Sequence, residues 1–317
     1  MVEYLPRVTV LVAAFNGLEW IDQQLDTILA QQGVEVSLLI SVDPCNDGTL
    51  ERCLDYAAQH ERIVVLPPAG PFGCAARNFF HLLRQVDLTT TDFVALADQD
   101  DLWHIDKLSR AVNHLRTSKD AGYSSNVTAF WPDGRRQLLE KAQPQVRYDH
   151  LFEAGGPGCT YVLPVAIATS LQHHLHGAAD ELWSVNFHDW YIYAWVRSRQ
   201  LSWYIDPLPS MDYRQHPSNQ LGANTSVKSF MSRWVTVGSG GWFDQVRLIA
   251  RLTRTVPEAG LYPYLSFDRT HLIGLAFRAG QCRRRRRDQV FFALACLVSA
   301  IAPNRSLSSE AHARQGS

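Results

Sequence analysis

The sequence has few cysteines, and they lack any arrangement that would make them structural. The six cysteines among 317 residues form no CxxC pair and no zinc-ligand spacing. In a chain of this size without a signal peptide, this predicts reduced thiols in a cytosolic compartment. The N-terminal apolar segment 8–15 has no small-residue cleavage site and ends at Asn16-Gly17, so it is predicted to be a strand and not a signal.

Long hydrophobic runs are also lacking, since no segment approaches the roughly 18–20 apolar residues that span a bilayer. The chain is nevertheless 46% hydrophobic, enough for a large core in one or two domains. Its formal net charge is only −1, but residues 228–290 hold 12 Lys/Arg against 4 Asp/Glu. We expect this basic C-terminal region to face phosphate or anionic lipid, and we expect no nucleic-acid partner.

What the sequence does contain is a regular alternation of strand and helix patterns in its first hundred residues. Short apolar runs typical of buried strands alternate with helical spacing of apolar residues. The predicted strands are 8–13, 36–42, 63–66 and 93–97. This alternation predicts an α/β fold with a doubly wound, mainly parallel sheet.

The pattern is less regular after residue 130. A glycine-rich loop at 155–163 leads into a strand, an aromatic helix is predicted at 185–196, and strands flank a proline-rich turn in 201–216. From 228 to 302 the segments are helical, basic and apolar. We therefore predict a main domain at 1–225 and a basic, amphipathic helical C-terminal extension at 226–317.

Carboxylates cluster directly after the fourth predicted strand, at Asp98, Asp100 and Asp101. Asn16 and Asp43 follow the first and second strands, and ligands of such sheets bind outside the carboxyl ends of the strands. Clustered Asp oxygens suit Mg²⁺ or Mn²⁺, which would neutralise their mutual repulsion and could bridge a diphosphate. A solvated acidic turn is the alternative, because a bare DxD is a weak motif.

The order of these motifs resembles the family 2 glycosyltransferases, which are inverting enzymes of the GT-A type. The segment "AAFN" keeps Phe15 and Asn16 of the family's first-strand signature, with Ala13 in place of Pro. The segment "VDPCNDGT" is similar to the family's second-strand motif, with Val42 replacing one Asp and Asp43 kept. The resemblance implies that Asp43 contacts the nucleobase or the ribose of the donor.

The acidic cluster is similar to the family's DxDD-type metal motif, and the resemblance covers roughly residues 8–220. The longer form "ALADQDDLWxxxKL" at 95–108 looks like bacterial rhamnosyltransferases. It implies that Asp98 and Asp100 bind the metal, and that Asp98 and Gln99 also contact the substrate.

Two later segments resemble motifs of the same family. "FHDWYIY" looks like its HDWW segment and implies that Asp189 is the general base and that His188 lines the substrate site. The alternative for Asp189 is a carboxylate stabilised by the helix dipole. "DYRQHPSNQLG" at 212–222 resembles YRQHxxN and implies that His216 is the third metal ligand and that Arg214 faces the diphosphate. A structural histidine is the alternative there.

The remaining site residues are assigned by position in the family pattern. Cys159 and Thr160 belong to the "GGPGCT" loop on the acceptor side, where a plain turn is the alternative. Arg77 and Asn78 lie where family members contact the nucleotide, and a solvated helix face is the alternative. Four tryptophans are predicted to be core side chains and not sugar platforms, namely Trp183, Trp190, Trp195 and Trp203.

Together the resemblance implies a metal-dependent inverting glycosyltransferase of surface-polysaccharide biosynthesis. It implies dTDP-β-L-rhamnose as donor and a lipid-linked saccharide or lipopolysaccharide core as acceptor. The metal would stabilise the leaving diphosphate, and Asp189 would deprotonate the acceptor hydroxyl. The alternatives are a UDP-hexose donor, a non-catalytic sugar-nucleotide-binding module, and a sugar-nucleotide hydrolase or phosphotransferase.

The C-terminal region contains five successive arginines, Arg283–Arg287, followed by an apolar segment at 290–302. This segment is too short to span a bilayer. Cations at a helix N-terminus oppose its dipole, so local helix stability does not explain the arginines. We predict a helix in the membrane interface with the arginines on anionic headgroups, at the cytoplasmic face of the bacterial inner membrane. A buried core helix is the alternative.

Overall fold

The predicted alternation of strands and helices is confirmed in the N-terminal half of the chain. The computed structural model describes residues 4–216, 241–253 and 265–301. Each of the first three predicted strands is followed by a helix, and the fourth is followed by a two-residue strand before the next helix. The elements are β1 (Arg7–Ala14), α1 (Ile21–Leu29), β2 (Glu35–Val42), α2 (Thr49–Gln59), β3 (Ile63–Val65), α3 (Ala75–Gln85) and β4 (Phe93–Ala97).

Shorter strands and further helices follow β4. The strands are β5 (Leu102–Trp103), β6 (Tyr123–Ser125), β7 (Val127–Phe130), β8 (Arg136–Leu139), β9 (Val162–Pro164), β10 (Tyr204–Asp206) and β11 (Met211–Arg214). The helices are α4 (Lys107–Thr117), α5 (Val165–His176), α6 (His188–Arg197), α7 (Gly241–Leu252), α8 (Arg269–Phe277), α9 (Ala279–Cys282) and α10 (Arg286–Ile301). Short 3₁₀ turns lie at Asp149–Leu151, Gly158–Thr160 and Asp180–Ser184.

Within the described residues the main sheet has seven strands in the order β10-β6-β9-β4-β1-β2-β3. β1 pairs in parallel with both β2 and β4, so that Val12 lies opposite Ile40 on one side and Ala97 on the other. The carboxyl ends of these three strands therefore meet at one edge. β9 runs antiparallel between β4 and β6, which makes the sheet mainly, but not wholly, parallel.

A second, four-stranded sheet has the order β5-β11-β7-β8. β5 begins at the residue after Asp101, and Asp212 of β11 lies opposite Leu102 of β5. This antiparallel pair carries the chain near residue 214 back to the acidic end of β4. Two segments more than 100 residues apart in sequence thus converge on one site.

Burial explains why the strands read as continuous apolar runs. β1 is covered by helices on both faces, and Val8, Val10 and Val12 are fully buried. α1 buries Ile21 and Leu25 at helical spacing against the same sheet.

The C-terminal helices share a core with the part of the chain that precedes them. The ring of Phe292 on α10 packs edge-on against Phe152 at 5.0 Å, and Trp242 on α7 contacts both rings. α10 buries Phe292, Cys296 and Ala300. The predicted boundary between 225 and 226 lies outside the described residues. None of the helices that the structure describes is both long and apolar enough to cross a membrane.

Two of the five arginines point into the protein, contrary to an arrangement in which the whole run faces lipid. The side chain of Arg284 is 2% exposed, and its Nη1 lies 3.1 Å from Asp149 Oδ2. Its Nη2 donates to Ala154 O at 2.7 Å. Arg283 Nη1 donates to Phe152 O at 2.9 Å. A buried guanidinium group requires paired acceptors, and both arginines find theirs in residues 149–154. These two residues therefore attach the C-terminal helices to that segment.

We expect Arg284→Ala to lower the free energy of unfolding by about 3 kcal/mol, the lower end of the cost of breaking a buried ion pair, because it removes the nearer of two guanidinium groups beside the buried Asp149 carboxylate and leaves Arg197 at 3.6 Å. Arg286→Ala, an exposed neighbour, is the matched control and should change the stability by less than about 0.5 kcal/mol. Urea denaturation followed by tryptophan fluorescence measures both. Equal, small changes in the two variants would show that Arg284 does not hold the helices in place.

Candidate active site at the strand ends

The candidate site lies at the edge where β1, β2 and β4 end. Asp43 follows β2 directly and donates its backbone N–H to Ala14 O at 2.8 Å. Asn16 follows β1 in the left-handed region with φ 48°, a conformation that asparagine tolerates better than most residues. Asp98 follows β4. The residues that the sequence placed at three strand ends are thus neighbours in space.

Gln99 connects the ends of β4 and β1. Its Oε1 accepts a hydrogen bond from Phe15 N at 2.6 Å, and its Nε2 donates to Phe15 O at 2.8 Å. A Cβ at position 17 would collide with the same amide group, so Gly17 leaves the space that Gln99 fills. The structure therefore uses the Gln99 amide to hold the loop after β1.

The turn after β2 is tied to the same loop by two residues that the sequence analysis did not assign to the site. Asp47 Oδ2 accepts from Leu18 N at 3.0 Å, and Thr49 Oγ1 accepts from Gly17 N at 2.8 Å. Thr49 Oγ1 in turn donates to Asp47 Oδ1 at 2.6 Å. The "NDGT" turn was the available signal, since Asp and Thr commonly bind nearby backbone groups.

Asp43 forms one wall of a cavity of about 220 Å³. Its carboxylate accepts from Phe72 N at 2.7 Å and from Gly73 N at 2.9 Å, which fixes the facing loop. The lining residues are Val42, Asp43, Pro44, Cys45, Leu50, Glu51 and Pro68. The cavity is therefore a mostly apolar slot whose lining also includes two acidic residues, Asp43 and Glu51.

Arg77 and Asn78 on α3 use their donors within the protein. Arg77 Nε donates to Trp183 O at 2.7 Å, and its Nη1 donates to Phe72 O at 3.1 Å. Asn78 is buried, and its Nδ2 donates to Ser41 O at 3.1 Å. These contacts support the walls of the site, and neither residue lines the cavity beside Asp43.

The acidic cluster itself consists of Asp98 and Asp101 together with the thiol of Cys159. One potential ligand atom from each residue lies within 4.8 Å of the others. Asp101 Oδ1 accepts from Arg214 N at 3.1 Å, whereas its buried Oδ2 has no hydrogen-bond partner among the residues that the structure describes. A buried carboxylate oxygen without a donor is costly unless a cation or another ligand satisfies it.

Asp100 and His216 are in direct contact, with 2.7 Å between Oδ2 and Nε2. The His216 ring stacks on Trp20 at a centroid distance of 3.9 Å, which fixes its orientation. Arg214 Nε donates to Asp100 O at 2.8 Å, and its Nη2 donates to Gln23 Oε1 at 2.7 Å. Of the residues that the sequence assigned to the metal site and the diphosphate, Asp100, His216 and Arg214 are thereby brought together, whereas Asp98 groups with Asp101 and Cys159.

The donor set fits a hard divalent cation. The carboxylate oxygens of Asp98 and Asp101 are ligand types that Mg²⁺ and Mn²⁺ accept. Asp100 and His216 offer the same kinds of ligand atom beside this group, but they contact each other and lie outside the atoms that come within 4.8 Å of one another. The Cys159 thiol is less suited to such ions, and burial raises its pKa well above the ordinary value. Asp101 was not assigned as a ligand from sequence, although the DxDD pattern contained it.

A buried cation, Lys107, lies behind the cluster and was also not assigned from sequence. Its side chain is almost fully buried, and Nζ donates to Cys159 O at 3.0 Å while lying 4.2 Å from the centre of the Trp103 ring. Burial lowers its pKa to about 8, while the nearby Cys159 and Asp101 favour the charged form. Lys107 therefore joins α4 to the loop that carries Cys159.

Asp189 faces the cluster from the start of α6. Its Oδ1 accepts from Trp190 N at 2.7 Å, and Tyr161 Oη donates to its backbone carbonyl at 3.2 Å. Burial raises the pKa of Asp189 to about 6, against the opposing effects of the Trp190 N–H and the charge of Lys141. Burial and then the Asp100 charge raise the pKa of Asp98 to about 7, with a smaller contribution from Asp189.

His188 and the glycine-rich loop form the wall beside Asp189. The His188 ring stacks on Phe79 at 4.1 Å, and burial lowers its pKa to about 3, so the imidazole is neutral. A Cβ at Gly158 would collide with His188 Nε2. Thr160 Oγ1 donates to Pro157 O at 2.7 Å and thereby stabilises the turn. Gly158 is thus required for the close approach of the loop to His188.

The chain is similar to a known protein family and to a protein from Shigella flexneri. The family described as "Glycosyltransferase like family 2" matches residues 6–137. A protein described as dTDP-rhamnosyl transferase RfbG, from Shigella flexneri, is 35% identical over 289 residues, which cover 91% of this chain and 99% of that protein.

Solved structures share the fold at low sequence identity. The S. aureus TarS 1-349 structure in complex with UDP-GlcNAc has a TM-score of 0.52 at 11% identity, covering 93% of this chain and 89% of that one. The mannosyltransferase PcManGT from Pyrobaculum calidifontis, in complex with GDP-Man and Mn²⁺, has a TM-score of 0.51 at 16% identity, covering 94% and 86%.

Proposed function

Because the chain belongs to the family 2 glycosyltransferases, we propose that its donor is dTDP-β-L-rhamnose and its acceptor a lipid-linked saccharide or lipopolysaccharide core. That relation supports a glycosyltransferase of the GT-A fold. The observation that carries the choice of donor is the 35% identity to a dTDP-rhamnosyl transferase along 91% of the chain. The product would be an α-L-rhamnoside of a surface polysaccharide.

The donor diphosphate would lie at the acidic edge formed by the ends of β1, β2 and β4. A Mg²⁺ or Mn²⁺ ion held by Asp98, Asp100 and His216, with Asp101 beside them, would supply positive charge against the leaving diphosphate. Asp98 would also border the donor sugar from the end of β4. Arg214 is fastened to Asp100 and Gln23 and would add a fixed cation at the same end.

Asp189 would act as the general base. The acceptor O–H proton passes to its carboxylate as the oxygen attacks the anomeric carbon from the face opposite the diphosphate. The bond between that carbon and the diphosphate oxygen breaks in the same displacement, so the configuration inverts. The buried position of Asp189, which raises its pKa to about 6, supports this role because an effective base titrates near the working pH.

The acceptor would enter beside the loop 155–160. Cys159 and Thr160 lie in its 3₁₀ turn, and His188 packs against Gly158 of the same loop. A neutral His188 adds no positive charge beside the carboxylate of Asp189. The glycines allow the backbone to approach a sugar closely.

The cavity beside Asp43 would hold the nucleobase, and its composition supports thymine over uracil. Val42, Leu50 and Pro68 provide apolar contacts that suit a C5-methyl group. Asn16 and Phe15 border the same edge from β1. The substitution of Val42 for the family's first Asp therefore supports a dTDP donor rather than a UDP-hexose.

We expect dTDP to bind roughly fourfold more tightly than dUDP, which differs from it only by the C5-methyl group, because a buried methyl group contributes about 0.8 kcal/mol. Val42→Asp should abolish this preference, whereas Val64→Asp, at an exposed strand position, should retain it. Isothermal calorimetry with dTDP and dUDP in the presence of Mn²⁺ measures both. Equal affinity of the wild-type protein for dTDP and dUDP would contradict the thymine assignment.

The proposed reaction is tested with purified protein, a panel of dTDP-rhamnose and UDP-hexoses, and candidate acceptors. Mass spectrometry should detect transfer of rhamnose and metal-dependent release of dTDP. Transfer from a UDP-hexose alone would show that the donor is a UDP-hexose and not dTDP-rhamnose. Binding of the donor without turnover on any acceptor would favour a non-catalytic sugar-nucleotide-binding module.

A further inference from the structure

The last described helix exposes apolar side chains on one of its faces. α10 packs into the core through Phe292, Cys296 and Ala300. On its other side a set of large apolar side chains is exposed, and Ile301 at its end is 81% exposed. This set, here called the apolar stripe, consists of Val290, Leu294, Leu297, Val298 and Ile301.

The spacing of the apolar stripe follows the helical repeat. Residues three, four and seven apart lie on one side of a helix, and the stripe runs for about 16 Å along the helix axis. A helix on the surface of a soluble domain ordinarily carries polar residues on its outer face. α8, which packs on α10, also exposes Ile273 and Phe277, the latter to 87%. Both outer faces therefore present apolar side chains.

The charges around the apolar stripe are almost all of one sign. Residues 269–301 contain seven arginines and a single acidic residue, Asp288. Arg283 and Arg284 point inward, and Arg285 lies 3.4 Å from Glu140. Arg286 and Arg287 are exposed at the start of α10, where Arg287 Nε lies 3.7 Å from Asp288 Oδ1. Their position opposes the helix dipole, and one carboxylate does not balance both cations, so an external anion explains them better than helix stability does.

We propose that the apolar stripe, with Ile273 and Phe277, inserts into the headgroup region of an anionic bilayer while Arg286 and Arg287 bind lipid phosphates. Large exposed apolar faces with basic borders are typical of interfacial helices. A second copy of the chain is a poorer occupant, because pairing this face with itself would bring arginines together without acidic partners. The proposal does not depend on the identity of the donor sugar.

The attachment of α10 connects this surface to the acceptor side of the site. Arg283 and Arg284 fasten the start of α10 to residues 149–154. The loop 155–160, which carries Gly158 against His188, follows directly. If the protein docks through the apolar stripe, this loop is held at a fixed distance from the membrane surface. An acceptor with a lipid anchor requires such an arrangement.

Flotation of the full-length protein with liposomes tests the proposal. One vesicle population is phosphatidylcholine alone, and the other contains phosphatidylcholine and phosphatidylglycerol at roughly 7:3, to supply a negative surface. The stripe variant combines Leu294→Ser, Leu297→Ser and Val298→Ser. Its matched control carries Leu54→Ser and Leu208→Ser, which change exposed leucines elsewhere.

A second pair of variants tests the charges. Arg286→Gln with Arg287→Gln removes exposed cations beside the stripe and leaves the buried Arg284 in place. Arg62→Gln with Arg135→Gln removes equally exposed cations elsewhere and is the control. Circular dichroism verifies that each variant is folded, so that a loss of flotation reports on the surface.

Wild type and both controls should float with anionic vesicles at low salt. The stripe variant should lose binding by roughly tenfold or more, since each buried leucine favours insertion strongly. The arginine variant should lose roughly tenfold on anionic vesicles and little on neutral ones. Failure of the wild type to float, or equal flotation of the stripe variant, overturns the proposal. The proposal is also overturned if the protein does not float and light scattering shows a dimer that the stripe substitutions dissociate.

Discussion

Replacing Asp189 by Asn is expected to reduce the rate of sugar transfer by roughly 10²–10⁴, the usual contribution of a general base. The amide has nearly the same shape as the carboxylate, and its oxygen can still accept the Trp190 N–H bond that orients the native side chain. It cannot take the proton of the acceptor hydroxyl. Donor affinity, measured by calorimetry, should therefore be unchanged. A variant that loses donor binding but keeps its rate per bound complex would contradict the assignment.

The pH dependence of kcat/KM provides a second measurement on the same residue. Asp189 must be deprotonated to act, so activity should rise with pH through about 6 and reach a plateau above it. The groups around it are Lys141, Tyr161, the neutral His188 and Asp98, and Lys141 opposes the effect of burial. The acid limb should vanish in the Asn variant. Asp180→Asn, an exposed carboxylate nearby, should retain it.

Asp100→Ala is expected to abolish transfer and metal-dependent donor binding together. Losing one carboxylate from the site should cost several kcal/mol of leaving-group stabilisation, which corresponds to roughly 10²–10³ in rate or more. His216, whose Nε2 lies 2.7 Å from Asp100 Oδ2, would lose its partner. His216→Ala should therefore weaken the dependence on Mn²⁺ in the same direction.

A titration of Mn²⁺ against activity and donor binding measures these changes. Asp106→Ala, on an exposed carboxylate in the same stretch, is the matched control and should leave both curves unchanged. Thermal unfolding of Asp100→Ala and the control separates a lost metal site from a lost fold. Near-wild-type turnover of Asp100→Ala would remove this carboxylate from the proposed metal shell.

The sequence predicted the order of strands and helices in the first hundred residues because local periodicity and turn residues determine it. It also predicted which side chains would meet at the strand ends, since parallel pairing aligns those ends. Asp98, Asp100 and His216 were assigned from motif order, and the structure shows Asp100 and His216 in contact. Their chemical roles remain predictions.

The contacts made by single side chains across long distances could not be read from the sequence. Nothing local distinguishes Arg284, which pairs with Asp149, from its exposed neighbour Arg286. Likewise Lys107 lies in a helix with ordinary spacing, yet its ammonium group is buried against Cys159. Such placements depend on the packing of elements more than 50 residues apart, which pattern and propensity do not describe.

The bridge from Gln99 to both backbone groups of Phe15 makes the middle position of the acidic motif a structural partner of the chain after β1. Position 17 must be glycine while glutamine occupies position 99, because a larger residue would displace the amide. The residues at positions 17 and 99 therefore depend on each other. Family members that differ at one should differ at the other, and grafting a foreign acidic motif onto this scaffold will require transferring the matching loop with it.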